Sequence, residues 1–199
     1  MALRSGEEIK YNFTEKENEH GLVILDFIDD LLKRFNLEKN ELDLIAVSNG
    51  PGSFTGLRVG CSVAQALAFA NDIPLIPLSS LAVLAHQAHS KFDMKNIFVI
   101  TNAHMKELYI GSYQFENEQI KILEKECLIS QEDLSNYVDI NSTETLYVGN
   151  GITFLENIVD KNAYKNIFSH ASNMFKLIDL AIEQKSYVAA EEVLSLIHI

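Results

Sequence analysis

Cysteine is scarce: Cys61 and Cys127 are the only two in 199 residues. Two thiols without framework spacing exclude a disulfide-stapled module and a metal site built on cysteines, and they point to a reducing cytosol. Basic residues are also few, with 16 Lys and Arg against 28 Asp and Glu and a net charge of −12. Phosphate contact rests on Lys and Arg, so such a chain is a poor nucleic-acid binder by itself. If it serves a nucleic-acid process, a partner holds the nucleic acid. There is no apolar run of membrane-spanning length, no signal peptide and no short-period repeat. What is present is 47% hydrophobic. That suits one or two compact units burying roughly 70% of the unfolded surface.

One stretch stands out, Asn49-Gly50-Pro51-Gly52-Ser53-Phe54-Thr55-Gly56-Leu57-Arg58-Val59-Gly60. The apolar run Leu42 to Val47 leads into it and the small, apolar segment Leu57 to Ala70 follows, which predicts strand, glycine turn and helix. Gly50, Gly52 and Gly56 permit positive φ or close approach. Ser53 or Thr55 can cap the helix. Free N–H groups at its start, with Arg58, favour an anion. The Gly-Lys-Ser/Thr of a Walker loop is lacking and the glycine spacing is wrong for a Rossmann fingerprint. Both a structural turn and an anion site remain open.

Ala2 to Arg4 and a half-buried strand over Glu8 to Thr14 are expected to form a hairpin about Ser5-Gly6. Gly21 to Phe35 reads as a helix whose stripe Ile24, Leu25, Ile28, Leu31, Leu32 and Phe35 spans an arc roughly 120° wide. Leu22, Val23 and Phe27 lie outside the stripe, either as rim or as a contact patch. The helix after the glycine motif is apolar nearly all round. Gly60, Cys61, Ala64 and Ala68 form a small face, and Val59, Val63, Ala66, Leu67 and Ala70 cover another. One side can lie on a sheet; the other needs cover from this chain or from a second subunit. Then follow a strand over Leu75 to Leu78, a cap at Ser79 or Ser80, a helix over Leu81 to His89 and a polar connection over Lys91 to Lys95. That connection predicts a domain boundary, giving units 1–93 and 94–190 and a tail 191–199.

The second half reads as strands over Ile97 to Ile100, Glu107 to Phe115 and Gln119 to Cys127, joined by the turn Glu116-Asn117-Glu118. A helix starts at Ser130 with Asp133, a strand covers Leu146 to Val148, a helix Ile152 to Val159, a weak strand lies near Ile167, and a last helix opens at Ala171 with Phe175, Ile178 and Ile182 on one face. The halves look like two copies of one unit, the first without its leading strand. Gly149-Asn150-Gly151 then stands where the glycine motif stands in the first half. His86 and His89, three apart on a helix, are either a metal pair without an evident third ligand or surface histidines. His104 reads as a loop residue or an acid–base group with no identifiable partner. Ser53 and Thr55 lack a nearby general base.

Gly50 to Gly60, with Ala64-Gln65-Ala66-Leu67-Ala68 and Pro77-Leu78-Ser79-Ser80-Leu81, resembles the bacterial TsaB family, also called YeaZ. Asn102-Ala103-His104-Met105-Lys106-Glu107-Leu108-Tyr109 resembles that family's Asp-Ala-Arg-x-x-Glu-Val-Tyr stretch, with Asn102 for the acid and His104 for the arginine. The resemblance implies an α/β fold of duplicated actin/sugar-kinase-like (ribonuclease H-like) domains, the first lacking a leading strand that ends in Asp-Thr-Ser. It implies a cytoplasmic, non-catalytic subunit in the synthesis of threonylcarbamoyladenosine beside the tRNA anticodon. Such a subunit pairs with the catalytic paralogue TsaD, meets the ATPase TsaE, and touches tRNA only through the complex; a homodimer is a resting form. Interface residues would be Leu22, Val23, Phe27, Leu57, Val59, Gly60, Val63, Ala64 and Leu67. The glycine motif, Gly50 to Gly56 with Arg58, would lie near any nucleotide. No cofactor is expected on this chain alone, and ATP or ADP only at the level of the complex. Where the paralogue carries two metal-ligating histidines, this chain has Ser80 and Leu84. The alternative is a stand-alone enzyme of the kinase-like fold, or a peptidase acting on its partner. Leu194-Ser195-Leu196-Ile197-His198-Ile199 replaces the family's Pro-x-Tyr-type strand and reads as an adapter-encoded ending.

Overall fold

A computed structural model describes residues 1–14, 20–116, 119–139, 142–155, 159–160 and 163–193. It is an α/β protein of two compact units. The first unit holds Met1–Leu78 and the chain from His170 to the last described residue; the second holds Ser79–Ser169.

In the first unit, β1 (Ala2–Ser5) and β2 (Glu8–Tyr11) form an antiparallel hairpin, Ala2 facing Tyr11. Its turn uses Gly6 at φ +58°. The expected half-buried face of β2 is not buried: Ile9 and Tyr11 are exposed, as is Phe13 beyond it. The partly covered residue is Lys10, whose ammonium sits 4.2 Å from the Phe35 ring centroid and donates to the Arg34 carbonyl at 2.8 Å. A long aliphatic stem has taken the place of the apolar face against the helix.

The helix α1 (His20–Phe35) buries Leu31 and Leu32 most deeply. Leu25, assigned to its apolar stripe, is 60% exposed. A capping-box turn at Lys39–Glu41 then leads to β3 (Ile45–Gly50), which begins later than the apolar run does and continues into the glycine motif. The helix α2 (Phe54–Asn71) connects β3 to its neighbour β4 (Leu75–Ser79). Asp72, in the left-handed conformation, closes α2.

The small face of α2 explains part of its all-round apolar character. Cys61, Ala64 and Ala68 pack with Ile73, Leu75, Ala190 and Val193 in one core. Gln65, polar on this helix, donates to the carbonyls of Ala190 and Val193 at 3.1 and 2.9 Å. The segment from His170 therefore belongs to the first unit, through the helix α4 (Phe175–Glu183) and the stretch ending at Val193. The expected boundary at 190/191 does not hold, and residues 194–199 of the expected tail lie outside the described residues. On α4 the buried face is Leu177, Ile178 and Ala181, while Ile182 is exposed.

Arg4 forks onto Asp179, with Nη1 2.9 Å from Oδ2 and Nη2 2.5 Å from Oδ1. These bonds hold the Asp179 carboxyl below its ordinary value. A carboxylate depressed in the folded state contributes stability above its unfolded value, near pH 4, and loses it as pH falls through the folded value. Both side chains are partly exposed. Asp179→Asn should therefore cost no more than about 1 kcal/mol at pH 7. Urea denaturation should show the gap between variant and parent closing in acid.

In the second unit, the helix α3 (Ser80–Phe92) packs Leu81, Leu84, Ala85 and Ala88 against Ile97, Val99, Tyr113 and Val148. This core places α3 in the second unit and moves the first boundary from the expected 93/94 to Leu78/Ser79. The sheet runs β7-β6-β5-β8-β9. Its strands are β5 (Asn96–His104), β6 (Glu107–Glu116), β7 (Gln119–Ser130), β8 (Thr145–Val148) and β9 (Tyr164–Lys165). β5 lies between β6, to which it is antiparallel, and β8, to which it is parallel. β9 is found just before the expected Ile167. The helices expected after Ser130 and at Ile152 are 3-10 turns, Gln131–Asn136 and Ile152–Leu155, with 156–158 outside the described residues. Asn117 and Glu118 of the expected turn are also outside.

Candidate functional site

The glycine motif leaves β3 through Gly50 at φ +123° and a cis Gly50–Pro51 bond. Only glycine readily takes that φ. Gly52 and Gly56 are not required in the same way. A Cβ on Gly52 would lie 3.9 Å from Leu57 Cδ1, and one on Gly56 3.6 Å from Ser53 Cβ, both ordinary contacts. Ser53 occupies the N-cap of α2, but its side chain makes no capping hydrogen bond, and Thr55 lies inside the helix. The expected capping role is thus not realised. The Arg58 guanidinium lies 3.9 Å from the Phe54 ring centroid, and both residues are exposed. Its charge rests on a ring, a cation–π contact.

The residues expected at an interface divide into groups. Leu57 and Ala64 are buried within the first unit. Gly60, Val63, Ala64 and Leu67 share with Val23 and Phe27 the lining of an apolar groove of about 860 Å³. Val59 is half-buried, and Ser62, Ala66 and Phe69 on the outer side of α2 are exposed. The Leu22 side chain lies outside the described residues. Sequence reasoning missed Phe69, 70% exposed; it falls one turn beyond Ala66 and is the largest apolar side chain in the second half of α2.

The histidines are not a surface pair. His86 is buried and edge-on to Phe115, with ring centroids 6.0 Å apart. His89 stacks on Phe115 at 4.3 Å, with Nδ1 2.9 Å from the Met94 carbonyl. His104 is exposed at the end of β5 with φ +64°. Its backbone N–H donates to Asn102 Oδ1 at 2.9 Å.

A second polar cluster was not foreseen. Ser79 Oγ and Tyr113 Oη both donate to Glu126 Oε1. Ser79 Oγ also accepts from the N–H groups of Leu81 and Ala82 at 3.1 and 3.2 Å, which settles the cap of α3 on Ser79 rather than Ser80. The register between β6 and β7 shifts around Gly111, and such a bulge re-aims side chains. Gly111 makes room for the ring, since a Cβ there would stand 2.9 Å from Tyr113 Oη. Burial, and then the charge of Glu126, push the Tyr113 phenol well above its ordinary value. It remains a neutral donor, and the cluster acts as a structural tether.

In the second unit Gly149, at φ +116°, follows β8 as Gly50 ends β3. A Cβ on Gly149 would lie 2.2 Å from the Ile100 carbonyl oxygen, and one on Gly151 2.6 Å from Ile100 Cγ2. Asn150 Oδ1 accepts from the Asn102 N–H at 2.9 Å, and Gly151 N–H donates to the Ile100 carbonyl at 3.0 Å.

Ser80 is the first residue of α3, and Leu84, one turn on, is 4% exposed in the core. Neither side chain offers an imidazole. Among the described residues no helix is long and apolar enough to cross a membrane.

The family model for TsaD, tRNA N6-adenosine threonylcarbamoyltransferase, matches residues 14–198. A tRNA threonylcarbamoyladenosine biosynthesis protein TsaB from Haemophilus influenzae is 31% identical over 184 residues, covering 87% of this chain and 77% of that protein. The TsaB of Buchnera aphidicola subsp. Schizaphis graminum is 32% identical, covering 72% of this chain and 70% of its own. The solved structure of YeaZ from Pseudomonas aeruginosa superposes with a TM-score of 0.86 at 26% identity, over 97% of this chain and 91% of that one. The glycine turn, the helix it launches and these likenesses along nearly the whole sequence agree: the chain belongs to the TsaB (YeaZ) family, on the actin-like domain that the TsaD model describes.

Proposed function

We propose that this chain is a non-catalytic subunit in the cytoplasmic synthesis of tRNA threonylcarbamoyladenosine, supporting a TsaD-type transferase. The observation that carries this reading is the pair Ser80 and Leu84. Where the resemblance places the paralogue's metal-ligating histidines, this chain carries a helix-start serine and a core leucine. The acidic charge agrees, because tRNA would be held by the partner rather than by this surface. The interface would be the α1–α2 surface. Leu57 and Ala64 support it from inside, Val23, Phe27, Gly60, Val63 and Leu67 flank the groove, and Val59 with Ser62 and Ala66 faces outward. A TsaE-type ATPase would meet the assembled pair, with any ATP or ADP bound only there, and a homodimer would use the same helices.

The reconstituted tRNA modification reaction tests this. Transferase with its companion ATPase should modify tRNA only when this chain is added, and Ser53→Ala or Thr55→Ala should leave the rate unchanged. Full activity without the chain would defeat the reading. Loss of activity in either variant would favour a nucleophile at the glycine motif instead, the stand-alone enzyme or peptidase.

We also propose that the two units are copies of one ribonuclease H-like unit, the first lacking its leading strand. Strand order supports this, β2-β1 and β3-β4 in the first unit against β7-β6-β5-β8-β9 in the second. So does the shared backbone of Gly50 and Gly149, with φ of +123° and +116° after equivalent strands.

A further inference from the structure

We infer that a groove at the C-terminal end of α2 takes an arginine side chain of the transferase, held by the rings of Phe69 and Tyr187 and the carboxylates of Asp72 and Glu191. This rests on the partner reading above and names the residue type that this end of the surface recognises.

The groove lies within the first unit and has a volume of about 400 Å³. It is enclosed by the last turn of α2, the link 72–74 into β4 and the segment 187–192. Two main-chain bonds fix that segment. The Leu75 N–H donates to the Val188 carbonyl at 3.0 Å, and the Val188 N–H donates back to the Leu75 carbonyl at 2.9 Å. The groove is therefore preformed, and an occupant need not order it on binding.

Its walls combine two properties. Phe69, Pro74 and Tyr187 supply apolar surface, and both rings are exposed. Asp72, Glu191 and Glu192 line it as well, and among the described residues no Lys or Arg does. Glu192 gives one oxygen to the Ala189 N–H. Asp72 and Glu191 form no ion pair among the described residues. The end of α2 adds to the negative field. Its last turn contains no basic residue, so its own side chains leave the partial negative charge of the helix C-terminus uncompensated.

An apolar side chain would use the rings and desolvate the carboxylates without a counter-charge. A lysine would meet the carboxylates, but its ammonium is a compact, strongly hydrated point charge. A guanidinium satisfies both walls: its flat face stacks on a ring while its N–H edge forks onto a carboxylate. The first unit already contains this arrangement. Arg4 lies 4.9 Å from the Phe175 ring centroid and forks onto Asp179. At the other end of α2, Arg58 rests on Phe54. The position agrees with the partner. Phe69 follows Ala66 by three residues on the outer side of α2, so the groove continues the surface assigned to the transferase. A partner that holds tRNA must itself present Lys and Arg, and the net charge of −12 on this chain favours their approach.

The test is titration calorimetry of the full chain against the transferase at low and moderate salt. Phe69→Leu keeps an apolar side chain at an exposed site and removes the ring face; it should weaken binding about fivefold or more. Asp72→Asn combined with Glu191→Gln should weaken it about tenfold at low salt and flatten the dependence of affinity on salt. Asparagine tolerates the left-handed conformation of residue 72, so the end of α2 is preserved. In a scan of the transferase's surface arginines, one Arg→Ala should lose as much as Phe69→Leu, and the two together little more than either. Parent-like binding by Phe69→Leu or by the amide pair, or additive losses for every arginine, would overturn the inference and leave the partner role intact. So would self-association of the chain, seen by sedimentation, that Phe69→Leu abolishes, since it would give the groove to a second copy. Absence of any complex with the parent chain would overturn the inference together with the partner role.

Discussion

Gly149→Ala is expected to lower the unfolding free energy by about 3 kcal/mol or more. Two costs add at that position. The backbone lies at φ +116°, where a Cβ is strained. The new Cβ would also meet the Ile100 carbonyl oxygen at 2.2 Å. That oxygen accepts the Gly151 N–H and lies on the central strand of the second sheet, so it cannot retreat without disturbing the strand. Gly50→Ala carries the φ penalty and should cost about 1–3 kcal/mol. Urea denaturation of the two variants should rank Gly149→Ala as the more damaging. Equal and small losses would mean that the turn after β8 can re-form around a side chain.

Glu126→Ala should cost about 1–3 kcal/mol through Tyr113. The tyrosine is fully buried and its hydroxyl has Glu126 as its acceptor. Removing the carboxylate leaves the buried phenol with the Ser79 hydroxyl in place of a charged acceptor. Ser79 is less affected, because its oxygen still caps α3 through the Leu81 and Ala82 N–H groups. The origin of the loss can be isolated. With Tyr113→Phe already present there is no phenol to lose its charged acceptor, and adding Glu126→Ala should then cost clearly less than it does in the parent. Additive losses in that cycle would show that Glu126 acts through something other than the phenol.

The first-unit strand–turn–helix was legible in the sequence, because glycines, an apolar run and a small-residue helix are local signals. Its details were set by neighbours. β3 begins at Ile45, where pairing to β4 starts with the Ile45 N–H on the Pro74 carbonyl. Ser53 has a capping residue type, yet its side chain makes no capping bond. The reading of β2 went astray because alternation says which residues share a face and not which face is covered. There Lys10 met α1 and Ile9 stayed exposed. The unit boundary was hidden for a similar reason. The polar stretch at Lys91 to Lys95 is a real connection, but α3 before it packs on a sheet made from residues after it. The Ser79–Tyr113–Glu126 cluster left no local signal, since it depends on a register shift between two strands. His86 gave the wrong one, a surface residue type placed in the core.

The partner role stands or falls on complex formation through the outer face of α2. Ala66 is exposed there, so Ala66→Arg should preserve the fold while placing a long charged side chain on the face proposed to meet the transferase. Titration calorimetry of this chain with a TsaD-type transferase measures the claim directly. The parent should form a one-to-one complex, and Ala66→Arg should weaken it on the order of 100-fold, the effect of disrupting an interface centre. Absence of any complex with the parent chain, or equal affinity for the variant, would contradict the account.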